Sequence, residues 1–232
     1  MKIPCIIHQT WKDHNIPEEF EQMSHSWRNM HAHWEYRLWT DEMNRAFIAS
    51  HFPFFLPVFD NYPTAIQRVD AVRYFCLYTY GGFYIDMDFE CLTGIHSWVD
   101  KAPCVFGKEP MAHCLIHGKD IIISNAFMGS VPGAHFVERI CKELQTSSTI
   151  IDHPNNQVLE STGPFMLSRL YSNYERKEEV SLLEPDLLYP FTKEELEWRS
   201  KGLSCPEFDE RLQRAHGIHH YAGTWWKNKQ SI

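Results

Sequence analysis

Apolar positions along this chain change their period several times, and each change marks an element boundary. Residues 3–7 form a short β-branched run between polar neighbours, as an interior strand does. A second strand is expected over 36–39, and Thr40-Asp41 after it is a helix-start signal for the apolar stretch 43–48. Thr64 stands three residues before Gln67, the spacing of a capping box, so a helix is expected from 65 to 80, ended by Gly81-Gly82. Further strands are expected over 104–107 and 121–124, helices over 134–144 and 165–171, and loops at Pro154-Asn155-Asn156 and Gly163-Pro164. Lys177-Glu178-Glu179 reads as solvated charge. Strands and helices alternating in this way predict a single α/β domain over 1–232, with a mixed, mostly parallel sheet flanked by helices and a ligand beyond the strand C-termini.

The densest chemistry follows the glycine pair. If a strand runs through 83–90, Phe83, Ile85, Met87 and Phe89 share one face while Tyr84, Asp86, Asp88 and Glu90 share the other. Clustered carboxylates repel one another unless a cation sits among them, and hard oxygen ligands suit Mg²⁺ or Mn²⁺ better than zinc. A cation held there is placed to carry a diphosphate; a solvated acidic turn is the plainer alternative. Asp70 and Arg73 stand three apart on the expected helix and interrupt the apolar pattern of Ile66, Val69, Val72, Phe75 and Cys76. They are either an intrahelical ion pair or a site in which Asp70 accepts sugar hydroxyls and Arg73 holds a phosphate or developing leaving group. Near the C-terminus, His219-His220-Tyr221-Ala222-Gly223-Thr224-Trp225-Trp226 gathers imidazoles, small residues and indoles. One histidine can complete a metal site, Gly223 lets the backbone approach a diphosphate, and a tryptophan can close over a sugar. A docked aromatic tail is the competing explanation.

Composition narrows these options. At 232 residues and 44% hydrophobic, the chain can bury one sizeable core, and a net charge of -8 argues against a general nucleic-acid binder. Its seven cysteines include no Cys-x-x-Cys pair, which points to free thiols in a reducing compartment. The opening apolar run is too short for a signal peptide, and Pro53 and Pro57 break the aromatic stretch near residue 55. The expected location is cytoplasmic, with peripheral membrane contact as a further expectation. Phe47, Phe52, Phe54, Phe55 and Phe59 are either packed or offer an acceptor or membrane surface.

Four segments together carry a resemblance. Ile7-His8-Gln9-Thr10-Trp11, Gln67-Arg68-Val69-Asp70-Ala71-Val72-Arg73-Tyr74, Tyr80-Gly81-Gly82-Phe83-Tyr84-Ile85-Asp86-Met87-Asp88 and the His-His-Tyr-Ala-Gly-Thr-Trp tail resemble family 32 glycosyltransferases, in the family's own order. That group has an Asp-x-Asp sugar-transferase region and includes yeast initiating mannosyltransferases and bacterial polysaccharide enzymes, with clostridial glucosylating toxins as distant relatives. The resemblance implies a GT-A fold and a retaining transfer from a nucleotide sugar, helped by Mn²⁺ or Mg²⁺.

It also implies roles for individual residues. Asp86 and Asp88 would serve metal and diphosphate, Asp88 as the direct ligand and Asp86 through water or the ribose, with His220 the third ligand. Asp70 and Arg73 would hold the donor sugar, Asn125 would line it, and Trp11 would stack on the base, with Thr10 and Tyr84 beside them. Gly223, Thr224 and Trp225 would meet the diphosphate or leaving group. Residues 1–130 would then bind the donor and 131–232 would supply the acceptor side and a lid. The donor would be a UDP-hexose first and GDP-mannose second, and the acceptor a glycan, a lipid-linked saccharide or a protein. The membrane anchor of Golgi members is not expected here.

Two other functions stay open on the residues alone. An Asp-x-Asp after an apolar strand also suits a haloacid-dehalogenase-like phosphohydrolase, although Phe89-Glu90 replaces the small residue and Thr that such an enzyme needs. A non-catalytic glycan-binding module explains the 14% aromatic content but not the acidic strand.

Overall fold

The eight strands of the computed structural model, which describes residues 2–146 and 157–223, fall into two sheets. In chain order they are β1 (Ile6–Thr10), β2 (Glu35–Trp39), β3 (Gly82–Ile85), β4 (Phe89–Cys91), β5 (Cys104–Lys108), β6 (Ile123–Ser130), β7 (Val180–Leu183) and β8 (Gly217–His219). Six of them form one sheet in the order β2-β1-β3-β6-β5-β7, while β4 and β8 pair as a separate antiparallel ribbon. In the large sheet β1 runs parallel to β2 and β3, β5 runs parallel to β7, and β6 is antiparallel to both of its neighbours. The sheet is therefore mixed and mostly parallel, as the alternation of elements predicts.

Helices surround it: α1 (Glu18–Met30), α2 (Asp41–His51), α3 (Leu56–Asp60), α4 (Ala65–Tyr80), α5 (Met111–Ile116), α6 (His135–Thr146), α7 (Gln157–Ser161), α8 (Pro164–Ser172), α9 (Lys193–Ser200) and α10 (Pro206–Arg214). Helix α4 begins where its capping box says it should. The Thr64 hydroxyl accepts the Gln67 N–H, and the Gln67 side chain reaches back to the Thr64 N–H. Helix α1 has no separate signal in the sequence reading, yet Phe20, Ser24 and Trp27 lie on one buried face at helical spacing.

Some boundaries move. Ile3 is buried, but its N–H bonds to the Val99 carbonyl outside the sheet, so the first strand starts at Ile6 instead of residue 3. The strand expected over 121–124 begins at Ile123 and runs eight residues, because Ser124 and Asn125 interrupt the apolar pattern without leaving the ladder. The expected strand through 83–90 is also broken. Strand β3 stops at Ile85, the Asp86 N–H bonds to the Ala126 carbonyl, and the Phe89 N–H returns to the Asp86 carbonyl, closing a turn before β4. Phe83 and Tyr84 are both buried, so strict alternation of core and solvent faces does not hold there. Of the five phenylalanines considered for a surface, Phe47, Phe55 and Phe59 are core and Phe54 is exposed.

Gly81 and Gly82 let α4 pass straight into β3. Gly82 has φ +92°, and a Cβ there would meet the Ile6 carbonyl oxygen at 2.7 Å. That close approach puts the Gly81 carbonyl beside His8, whose Nε2 lies 2.9 Å away. On its other side, the Trp39 indole N–H donates to His8 Nδ1 at 3.1 Å. An indole only donates and a carbonyl only accepts, so His8 is neutral and carries its proton on Nε2. Burial lowers its pKa from 6.5 to about 4, against the pull of the Gly81 carbonyl.

The unfolded chain binds a proton in that interval and the folded chain refuses it, so stability falls as pH drops from 6.5 towards 4. Between pH 6.5 and about pH 5, urea denaturation should show wild type losing about 1.5 kcal/mol more than His8→Gln. Parallel losses in the two proteins would show that His8 is not the titrating group.

Candidate active site

Helix α4 delivers Asp70 and Arg73 to the sheet as a buried pair, with Arg73 Nη2 2.9 Å from Asp70 Oδ1. Arg73 Nη1 also donates to the Asn125 carbonyl at 2.8 Å and lies 3.3 Å from Asp86 Oδ1, while its guanidinium covers the Tyr84 ring at 4.4 Å. The pair is thus an intrahelical ion pair and part of a wider site at once. Asn125 Nδ2 and the Thr162 hydroxyl donate to the two oxygens of Asp70. Tyr84 donates to Asp86 Oδ1 at 2.9 Å and so accepts from Thr10, 2.8 Å away. Burial lifts the Asp70 carboxyl to about 6, with Arg73 and Thr162 opposing it. Burial likewise raises Asp86, again against Arg73. Thr10, Asp70, Arg73, Tyr84, Asp86 and Asn125 are therefore brought into one network.

Asp88 stands beyond the turn at the mouth of that network. Its Oδ2 accepts the Ala222 N–H at 2.9 Å, and its Oδ1 lies 3.3 Å from His219 Nε2. The ribbon explains which histidine arrives. Cross-strand partners are Phe89 with His219 and Glu90 with Ile218, so alternation puts His219 on the Phe89 face and His220 on the Glu90 face. His220 Nε2 accordingly meets Glu90 at 3.0 Å. The placement of His220 beside the acidic pair is thus corrected to His219, because the turn at Met87-Asp88 ends the alternation that a continuous strand would have carried through.

Asp86, Asp88 and His219 each offer a ligand atom, and those atoms lie within 4.8 Å of one another. Burial works against a charge on His219, but the Asp88 carboxylate overrides it and raises the imidazole to about 9. Burial opposes the charge on Asp88 as well, and His219 with the Ala222 N–H brings that carboxyl down to about 2. Asp70 and Asp86 thus face the Arg73 guanidinium, and Asp88 faces His219. His219 has to give up its proton to act as a ligand; the two negative charges then left uncompensated match one divalent cation, and a donor set of carboxylate oxygens plus one imidazole suits Mn²⁺ or Mg²⁺. His219 Nδ1 is buried without a hydrogen-bond partner among the described residues, which leaves the ring orientation to be fixed by what Nε2 binds.

Other expected residues are placed as follows. Trp11 follows β1, half-buried, with its ring 4.8 Å from that of Phe20 and its Nε1 donating to the Asn15 carbonyl. The next residue's carbonyl accepts the Asp41 N–H. A cavity of about 400 Å³ between α2 and α4 is lined by residues that include Asp41, Asn44, Arg45, Arg68 and Val69, and Trp11 is not among them. Gly223 follows Ala222 with φ +58°. Thr224 and Trp225 lie outside the described residues. Ser161-Thr162-Gly163-Pro164 also resembles the family but reads from the residues only as a loop, and neither Tyr189 nor Tyr221, the latter inside the His-His-Tyr-Ala-Gly-Thr-Trp segment, has a role in the sequence analysis. The two tyrosines reach the site through long-range packing, Tyr221 with its ring 4.4 Å from His219 and Tyr189 5.7 Å from it.

A family model described as "Glycosyltransferase sugar-binding region containing DXD motif" matches residues 17–105. Inositol phosphoceramide mannosyltransferase 2 of Schizosaccharomyces pombe is 41% identical over 175 residues, or 75% of this chain and 48% of the relative. Inositol phosphoceramide mannosyltransferase 3 of the same yeast is 38% identical over 229 residues, 99% of this chain and 57% of the relative. This chain spans about half the length of these curated relatives. Among solved structures, the PaToxG glycosyltransferase aligns with a TM-score of 0.54 at 14% identity, covering 92% of this chain and 85% of that one. The ligand-free glycosyltransferase domain of the YGT toxin aligns with a TM-score of 0.55 at 8% identity, over 78% and 80%. At such identities the structural likeness concerns the fold, which is GT-A. With the Asp86-Met87-Asp88 turn inside the matched segment and the sheet of that fold behind it, residues 17–105 of this chain are a glycosyltransferase sugar-binding region containing a DXD motif.

Proposed function

We propose that this protein transfers a mannosyl group from a nucleotide sugar, with a divalent cation and retention of configuration, to the inositol-phosphate headgroup of a phosphoceramide-type lipid. The observation that carries the transfer reading is the Asp86, Asp88 and His219 cluster set against the Arg73 network. The names of the relatives support the sugar and the acceptor, since both S. pombe proteins are inositol phosphoceramide mannosyltransferases. They move the preferred donor from a UDP-hexose to GDP-mannose and narrow the acceptor to a lipid. Retention rests on the family resemblance.

A cation bound by Asp86, Asp88 and His219 would supply countercharge to the departing nucleoside diphosphate. The chain's own groups do the rest. Arg73 keeps Asp70 and Asp86 ionised and fixes their orientation from the protein side. A carboxylate offers about four acceptor positions. Arg73, Asn125 and Thr162 occupy three on Asp70, and the fourth is free for a sugar hydroxyl. Tyr84, held by Thr10, fixes the orientation of the Asp86 carboxylate that would hold the cation. Trp11, half-buried after β1 with one side of its ring against Phe20, is the flat apolar face we assign to the nucleobase.

The reading is tested by incubating the purified chain with Mn²⁺, inositol phosphoceramide and either GDP-mannose or UDP-hexoses, then determining the anomer of any product. Mannosylated lipid from GDP-mannose is the expected result, and transfer from UDP-hexoses alone would overturn the donor assignment.

Asp88→Asn should reduce metal-supported turnover by about a hundredfold or more, at the upper end of what loss of a supporting partner costs. The melting temperature should fall, because the ion pair with His219 is lost, while the variant stays folded at assay temperature. An unaltered Mn²⁺ dependence of donor turnover in the folded variant would remove Asp88 from the ligand set.

Thr162→Val should act through Asp70. Loss of a hydrogen bond to the charged form raises the Asp70 pKa above its value of about 6, so the acid limb of the kcat profile moves to higher pH. At neutral pH the loss is about tenfold, the scale of one charge-assisted hydrogen bond. A kcat profile superimposable on wild type would reduce Thr162 to a packing role.

A further inference from the structure

Helix α5 presents its apolar side chains outward. Cys114 is buried, but Met111, Leu115 and Ile116 are exposed, the last two at 74% each. No carboxylate occurs between Met111 and Gly118, and the charged or titratable positions there are His113 and His117. This inverts the usual amphipathicity of a surface helix, in which apolar residues face the core.

The patch also adjoins the acidic cluster. Glu109 accepts from or pairs with His113 Nδ1 at 2.9 Å, the His113 ring packs on Tyr221 at 5.3 Å, and Tyr221 packs on His219, which faces Asp88. Helix α5 is therefore two ring contacts from the residues that would hold the cation. A lipid acceptor keeps its acyl chains in the bilayer, so an enzyme acting on its headgroup has to bring the reacting atoms to within a few ångströms of the membrane plane. Apolar side chains next to the site meet that need, since a helix with an exposed apolar face inserts shallowly at the boundary between headgroups and acyl chains.

We propose that the exposed apolar face of α5 is a membrane-contact surface that seats the active site on a lipid bilayer. This rests on the lipid-acceptor reading given above and adds the place of contact. It also moves the contact from the phenylalanine stretch near residue 55, most of which is core, to the rim of the site.

The full chain and its Leu115→Ser, Ile116→Ser double variant should be sedimented with vesicles of phosphatidylcholine containing phosphatidylinositol, and their donor hydrolysis should be measured without vesicles. Both side chains face solvent, so the melting temperature of the variant should match wild type. Removing two such side chains from the lipid should lower the vesicle partition coefficient at least about tenfold, with donor hydrolysis unchanged. Equal partitioning of the two proteins would overturn the proposal. So would vesicle-independent behaviour combined with a wild-type dimer that the variant loses on gel filtration, which would make the patch an interface between two copies of the chain. If the vesicles bind through α5 but no mannose reaches inositol phosphoceramide, the functional reading fails and the contact surface stands.

Discussion

A guanidinium buried among carboxylates is the constraint around which this molecule is arranged. Arg73 is 3% exposed, and removing such a group from water is costly unless its charge and donors are matched. Asp70 on the same helix, Asp86 at the end of β3, the Asn125 carbonyl on β6 and the Tyr84 ring match its charge and its two Nη groups from three separate elements, while Nε has no partner among the described residues. Each of those elements must therefore sit at its observed height and register. The glycine pair after α4 is one consequence, since only a residue without a side chain lets β3 start close enough to β1 for Asp86 to come within reach of Arg73.

Around this rigid centre the second carboxylate and its histidine are mounted on a different support. Asp88 lies past a turn, and His219 arrives on a two-stranded ribbon outside the main sheet. In the function proposed here, donor-sugar contacts would lie on the buried side and the cation on the ribbon side, meeting between Asp86 and Asp88. Within a glycosyltransferase this is a sensible division, because the part that recognises the sugar must be preorganised while the part that holds a diphosphate has to release it.

Much of this could be read from the residues in order. The capping box at Thr64, the helix it starts, the strand at 36–39 and the mostly parallel sheet rest on local signals that tertiary packing did not override. Thr10, Asp70, Arg73, Tyr84, Asp86 and Asn125 also fall together. The choice between His219 and His220 could not be read, because it depends on a turn two residues long and on the register of a strand pairing across the chain. Thr162 was out of reach for a similar reason, as its hydroxyl bonds to Asp70 over a separation of 92 residues. No periodicity within either segment encodes such contacts. The family assignment, for its part, disposes of the phosphohydrolase alternative that the bare Asp-x-Asp left open.

The ribbon has a consequence for how the protein comes into being. Asp88 and the backbone N–H that it accepts at Ala222 are 134 residues apart. During synthesis the acidic turn, its supporting arginine and most of the sheet leave the ribosome well before the strand that completes them. Pairing over such a distance has to overcome a large loop-closure entropy and therefore comes late. Until then the nascent chain carries an acidic turn without its histidine, and any cation that binds early is held by oxygen ligands alone. The Arg73 network is therefore complete before the Asp88–His219 contact can form, and the proposed cation site waits on β8.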